Sequence, residues 1–265
     1  MLRQRVKLWL YGSCPGFAGT FPYFGVRVHF PRHSIIFEAA CAQGIYEQGN
    51  LRAMQAFARD GSYVLDVGAN IGLMSVPLLA SRPKVKILSF EASVGTVRFL
   101  SRTRDESDFR ERWEIAPKAV GSAAGTAEFH AGALEVGAYD GLKSTGRAAI
   151  ESVMKVEVTT IDLEWRQRGC PNISVIKVDV EGAEYDVLLG ATECVARCRP
   201  AIVVEWSPKN IGAYGRTMED LLAIAKRLGY RIWALPNLAE IIDPVALQVQ
   251  ASVTESYLLF AGSPR

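Results

Sequence analysis

The sequence predicts an α/β protein built on a mostly parallel sheet with helices on both faces. Three observations carry the prediction. From Tyr63 onward, apolar strand-like runs alternate with amphipathic helical runs. Those strand runs are almost continuous in Val, Ile and Leu, as strands buried on both faces require. Several end in a glycine turn or an acidic residue, and in open α/β sheets ligands sit at the carboxyl ends of strands.

The elements follow in order. "VRVHF" (26–30) and "SIIF" (34–37) read as an opening hairpin, and 45–59 as a helix with Leu51, Met54, Phe57 and Ala58 on one face. Strand 63–67 leads to helix 71–81, strand 85–90 to helix 94–104, and "WEIAPKAV" (113–120) is the next strand. The rhythm then breaks. "GTAEFHA" and "VMKVEVTTIDL" read as extra strands, with the glycine-rich "GALEVGAYDGLKSTGR" as a loop between them. A loop of that length inside a compact domain is commonly a lid or binding loop. The alternation resumes with strand 174–180, helix 182–197, strand 201–206, helix 217–228, and strands 230–235 and 256–262. No helix is expected between the last two, which should pair antiparallel at one edge. Residues 1–60 form an N-terminal extension and cap helix, and 61–265 the main domain, with an inserted region at about 121–160.

A chain of 265 residues, 49% hydrophobic, can bury a sizeable core, and a net charge of +2 argues against a nucleic-acid binder driven by phosphate contacts. The start, "MLRQRVKLWLYGSCPG", is basic, but its apolar stretch is interrupted by charge. It is too short for a signal peptide or a membrane span, and at most a weak amphipathic anchor. The five scattered cysteines, with Cys194 and Cys198 on one helix and no histidine nearby, read as buried thiols in a reducing cytoplasm rather than a zinc site.

The stretch "VLDVGANIG" (64–72) places Asp66 inside an apolar strand and Gly68 and Gly72 in the turn that follows. A dinucleotide site wants G-x-G-x-x-G, but this turn reads G-A-N-I-G and then Leu73. The charge of Asp66 would also repel a pyrophosphate. S-adenosylmethionine, with an ammonium, a cationic sulfur and ribose hydroxyls but no phosphate, fits better. Glu91 ends the next strand, 19 residues beyond Gly72. That is close to the roughly 20-residue offset at which an acid meets ribose hydroxyls. A third signal, "IKVDVEGAEYDVLLGA" (176–191), runs a strand into Asp179 and Glu181, then Gly182 and a helix striped by Val187, Leu188, Ala191, Cys194, Val195 and Cys198. Glu184, in that helix's first turn, reads as a helix-terminus carboxylate.

Together "VLDVGANIG", "SFEAS", "KAVGSAAGTAEF", "VEVTTIDL", "IKVDVEGAEYDVLLGA" and "RPAIVVEW" resemble the FkbM family of S-adenosylmethionine-dependent methyltransferases over roughly 46–206. The resemblance implies a Rossmann-like class I methyltransferase sheet of seven strands and, usually, O-methylation of a small-molecule or sugar hydroxyl. It implies a cofactor site at Asp66, Gly68, Ala69, Asn70, Gly72, Glu91, Ala92, Ser93, Ala119 and Asp179. Methyl transfer to a hydroxyl needs alignment and a base. Asp179, Glu181 and Glu205 are the carboxylates expected beside the methyl, and His130 is a further candidate base. His29 and His33 read as structural. Magnesium is conceivable through Asp179 and Glu205, but two ligands do not define a site. The expected partner is a small-molecule or sugar acceptor, with no nucleic acid and no stable membrane insertion. A non-catalytic scaffold that keeps the cofactor fold is the rival from another class, and an NAD-dependent oxidoreductase the enzymatic rival.

Overall fold

The computed structural model describes residues 2–262. The chain opens with helix α1 (Leu2–Gly12), strands β1 (Thr20–Tyr23) and β2 (Val26–His29), and helices α2 (Ile35–Gln43) and α3 (Gln48–Phe57). Alternation follows with β3 (Tyr63–Val67), α4 (Ser75–Ser81), β4 (Lys86–Phe90), α5 (Val94–Asp105) and β5 (Trp113–Ala116). The inserted region holds β6 (Ala119–Val120), β7 (Gly125–Ala131), a tight helical turn at Leu134–Tyr139, and β8 (Ser152–Thr159), after which α6 (Ile161–Gln167) returns the chain. Then come β9 (Ile173–Val178), α7 (Glu184–Leu189), α8 (Thr192–Cys198), β10 (Ala201–Glu205), α9 (Pro208–Gly212) and α10 (Glu219–Leu228). The last elements are β11 (Arg231–Ala234), β12 (Ala239–Ile241), α11 (Pro244–Ala251) and β13 (Ser256–Phe260).

The main sheet has eight strands in the order β12-β11-β13-β10-β9-β3-β4-β5. Strands β10, β9, β3, β4 and β5 are parallel, while β13 and β11 add antiparallel pairings. This is the α/β Rossmann-like architecture expected, with the short β12 as an eighth strand. The chain winds outward from β3 to β5, then returns to lay β9 on the other side of β3. Their carboxyl ends therefore flank the topological switch point. One face of the sheet packs against α7, α8 and α10, and the other against the β1–β2 hairpin, α2, α3 and α4. A separate sheet of order β6-β8-β7 carries its own small apolar cluster around Phe129 and Val156.

Several boundaries differ from expectation, each for a local reason. Residues 34–37 are not a strand but the start of α2: the Ser34 hydroxyl caps the helix by accepting from the Phe37 N–H, and Phe37, Ala40 and Cys41 are buried at helical spacing. The hairpin partner of β2 is instead β1. Strand 113–120 breaks at Pro117, beyond which β6 pairs with β8 in the small sheet. Helix α4 starts at Ser75 rather than 71 because Asn70 and Gly72 adopt positive φ of 48° and 89°. The helix expected over 182–197 divides at Gly190. The Gly190 carbonyl accepts from the Asp162 N–H, and the Asp162 carboxylate accepts from the Glu193 and Cys194 N–H groups, capping α8 from another element. β11 and β13 do pair antiparallel. However, α11 lies between them in sequence, β13 sits inside the sheet, and β12 forms the edge.

Gly190 also sets how closely the inserted region approaches. A Cβ there would lie 2.1 Å from the Gly121 carbonyl oxygen, a backbone atom that cannot rotate away. Gly190→Ala should lower stability by about 1–3 kcal/mol, as overpacking does. Gly212→Ala, whose Cβ meets nothing within 4 Å, should change little. Urea unfolding of the two variants checks the contrast.

Candidate active site

The carboxyl ends of β3, β4, β9 and β10 open into one cavity of about 260 Å³. α2 contributes Ile35, Ile36 and Ala39 to its wall, the glycine turn Gly68, Ala69 and Asn70, and the inserted region Phe129, residues 137–142 and Arg147. The glycines are dictated by contact. A Cβ on Gly68, at φ 78°, would stand 1.7 Å from the Asp179 carbonyl oxygen. A Cβ on Gly182, at φ 110°, would stand 2.4 Å from the Asn210 carbonyl oxygen. The neighbouring Glu181 also holds a positive φ of 56°, a strained setting for a residue with a side chain.

Beneath the turn lies a buried ionic group. Lys177 faces Asp66 in register across the β3–β9 pair. Its ammonium donates to the Gly68 carbonyl at 3.0 Å, pairs with Asp179 at 3.0 Å and stands 3.8 Å from Asp66. Burial pulls the Lys177 pKa down, but Asp179, Asp66 and Glu47 outweigh it and hold the amine above its usual range. The other Asp66 oxygen accepts from the Ser75 hydroxyl at 2.6 Å; Ser75 meets Ser89 at 2.9 Å, and the Trp113 indole N–H donates to Ser89 at 2.9 Å.

Glu91, at the end of β4, accepts from the Asn70 N–H at 2.9 Å and the Ser93 N–H at 2.8 Å. Burial raises its pKa to about 7 against those two bonds. Opposite it, Asp179, Glu181 and Glu205 bring carboxylate oxygens within 4.8 Å of one another, a spacing that could hold a metal ion. Arg147 already stands 3.1 Å from Glu181, its guanidinium 4.1 Å from the centre of the Tyr139 ring. The charge of Asp179, with burial, pushes Glu205 up to about 11. Burial, then Asp179, pushes Glu181 up to about 8 despite Arg147. Glu184 accepts from the Val180 and Gly182 N–H groups at 3.0 Å, holding the turn as a first-turn carboxylate should.

Of the residues singled out in the sequence, Gly68, Ala69, Asn70, Glu91, Ala92, Ala119, Asp179, Glu181 and Glu205 line this cavity. Asp66, Gly72 and Ser93 do not: Asp66 is fully buried under the turn, Gly72 presses on Trp113 and Leu100, and Ser93 supports Glu91. His130 lies outside the lining, and its Nδ1 is buried with no hydrogen-bond partner among the described residues. Sequence reasoning missed Lys177, Glu47 and Arg147. Lys177 had a signal, a lysine inside an apolar strand. Glu47 had none: it sits at φ 44° before α3 and accepts from the Asn50 side chain at 3.0 Å. Arg147 is one basic residue in a long loop, with nothing in the sequence to aim it.

The chain is 30% identical over 176 residues to methyltransferase sdnD of Sordaria araneosa, covering 56% of this chain and 68% of that one. It is 25% identical over 160 residues to 2-O-methyltransferase NoeI of Sinorhizobium fredii, covering 56% and 64%. The structure of methyltransferase FkbM from Methylobacillus flagellatus KT superposes with a TM-score of 0.47 at 14% identity, covering 84% of this chain and 54% of that one. The chain thus spans about two thirds of the two curated relatives and about half of the solved one. The family model described as Methyltransferase FkbM domain matches residues 66–232, more than half of the sequence. The chain therefore belongs to the FkbM methyltransferase domain family.

Proposed function

We propose that the protein is an S-adenosylmethionine-dependent O-methyltransferase acting on a hydroxyl of a small molecule or sugar. The observation that carries the reading is Glu91, a buried carboxylate hydrogen-bonded to the glycine turn and lining a cavity that also holds a cluster of acids. The donor set suits the cofactor. Each Glu91 oxygen accepts one backbone N–H and keeps a lone-pair site for a ribose hydroxyl. Phe90, Ala92, Ala119 and Phe129 offer an apolar wall for a flat base, and Glu47 complements an ammonium. When bound, S-adenosylmethionine supplies a methyl group activated by a sulfonium.

The chain's own residues have the remaining work. Asp179, paired with Lys177, orients the acceptor hydroxyl and takes its proton. Glu181 and Glu205, their pKa values pushed up to about 8 and about 11, stay largely protonated at neutral pH and can donate hydrogen bonds to acceptor oxygens. We assign magnesium no part, because the cations Arg147 and Lys177 already stand against Glu181 and Asp179. The Sinorhizobium relative, a 2-O-methyltransferase, favours oxygen as the methyl acceptor.

Glu91→Ala should weaken S-adenosylmethionine binding by about tenfold or more, since a hydrogen bond to a charged group contributes roughly 1.5–3 kcal/mol. Calorimetry on the folded variant checks this, and unchanged affinity would remove Glu91 from the site. Asp179→Asn keeps the shape and loses the proton acceptor. It should bind cofactor within a few-fold of wild type and lose about 10²-fold or more in turnover. A mass-shift assay over a hydroxylated acceptor panel, with an RNA control, measures that loss.

The raised carboxyl pKa values also set a pH dependence. Glu181 binds its proton more tightly folded than unfolded, so its stabilising contribution is complete below about 4.5 and declines as pH rises through about 8. Urea unfolding of the free protein should show stability falling across that window, and Glu181→Gln should flatten the fall. A cationic ligand prefers the ionised acids, so S-adenosylmethionine affinity should rise over the same range. An affinity independent of pH would sever the acid cluster from the cofactor.

A further inference from the structure

The near-neutral total charge hides a segregation. Residues 1–37 contain five of the chain's 30 Lys and Arg and none of its 28 Asp and Glu. The same segment holds Trp9, Phe17 and Phe24, all the large aromatic side chains exposed among the described residues. Helix α1 accounts for much of this surface. Leu8 and Tyr11 pack inward on the core, whereas Arg5, Val6, Lys7 and Trp9 are exposed, Val6 by 52% and Trp9 by 61%. The chain then folds back at the helix end: the Trp9 carbonyl accepts from the Ser13 and Cys14 N–H groups, and the Cys14 carbonyl accepts from the Phe17 N–H. Phe17 is left 54% exposed beside that end.

We propose that α1 and the loop after it dock the protein onto an anionic lipid bilayer, with the helix lying in the plane of the headgroups. Exposed Trp and Phe between basic residues are the chemistry of an interfacial helix. At 11 residues α1 is far too short to cross a bilayer, and no helix among the described residues is long and apolar enough to do so. The charge selects this occupant over a second copy of the chain: a symmetric contact through this face would set Arg5 and Lys7 against their own counterparts. The position also links the surface to the cavity. The Gln4 side chain donates to the Ala42 carbonyl at 2.7 Å, fastening α1 to α2, and α2 supplies Ile35, Ile36 and Ala39 to the cavity wall. Docking sets the bilayer on the helix that is fastened to the cavity-walling α2, which suits an acceptor hydroxyl carried on a membrane lipid. The docking surface itself stands apart from the methyl-transfer reading.

The test is sedimentation of the full chain with vesicles of phosphatidylcholine alone or phosphatidylcholine mixed with phosphatidylglycerol. Binding should favour the mixed vesicles and weaken with salt. Arg5→Gln and Lys7→Gln should each lower partition about fivefold, the effect of about 1 kcal/mol per basic residue at an anionic surface. Trp9→Ser with Phe17→Ser should lower it about tenfold or more. S-adenosylmethionine affinity, measured separately, should be unchanged in every variant, so failure of docking and failure of the methyltransferase reading are distinguishable. Equal binding to both vesicle types, or full binding by the Trp9/Phe17 variant, overturns the proposal. So does an RNA oligomer that displaces the vesicles and depends on the same side chains. Concentration-dependent dimerisation that these substitutions abolish would assign the face to a second copy instead.

Discussion

One buried ammonium organises the carboxyl ends of the two central strands. Lys177 donates to the Gly68 carbonyl, pairs with Asp179 and sets its charge 3.8 Å from Asp66, and so ties β9 to the turn after β3. Lysine suits the position because its charge is compact and its three donors rotate, whereas a guanidinium would impose a planar fork. Without the amine, two carboxylates would be left in the protein interior with no compensating charge, which is strongly destabilising. The close approach at Gly68 depends on the same tie. The glycine turn, the strand-end acid and the buried lysine are one arrangement.

Around that arrangement the cavity carries more negative than positive groups. Glu47, Glu91, Asp140, Asp179, Glu181 and Glu205 face Lys118, Arg147 and Lys177 among the lining residues. Burial and mutual repulsion keep some of these acids protonated. A cavity of this kind receives a cation well and repels phosphate. Its acids change role with their charge, acting as hydrogen-bond donors when neutral and as acceptors when ionised. The strained φ at Glu181 and the burial of these groups cost stability, a pattern common where the fold serves a site rather than itself.

The sheet was legible because its strands are apolar on both faces and its helices amphipathic, so period and punctuation agree over 63–120 and again over 174–228, outside the inserted region. The glycine turn and Glu91 were legible because spacing along adjacent strands translates directly into spacing across a sheet. Lys177 escaped because a single polar residue in a strand shows nothing of its cross-strand neighbour until the register is known. The α2 error has a similar origin: Ile35 and Ile36 favour a strand locally, and only the Ser34 cap and the buried Phe37 overrule them. Glu47 and Arg147 reach the cavity through tertiary contacts across long sequence separations, which no local pattern encodes. Asp66 was found, but it lies below the turn where a place beside the ligand was expected, since strand position fixes depth only to within a residue or two.

The position of β13 constrains how the chain can be made. It follows β11 and β12 in sequence yet lies between β10 and β11, and Tyr257, Leu258 and Leu259 are completely buried there. On the ribosome, β11 therefore emerges with its place in the sheet still missing a strand, and β10 presents an open edge beside the acid cluster. The nascent domain must wait, with apolar strands unpaired, until Ser256–Phe260 clears the exit tunnel and is threaded between strands already made. Final closure of the sheet is a late, long-range event.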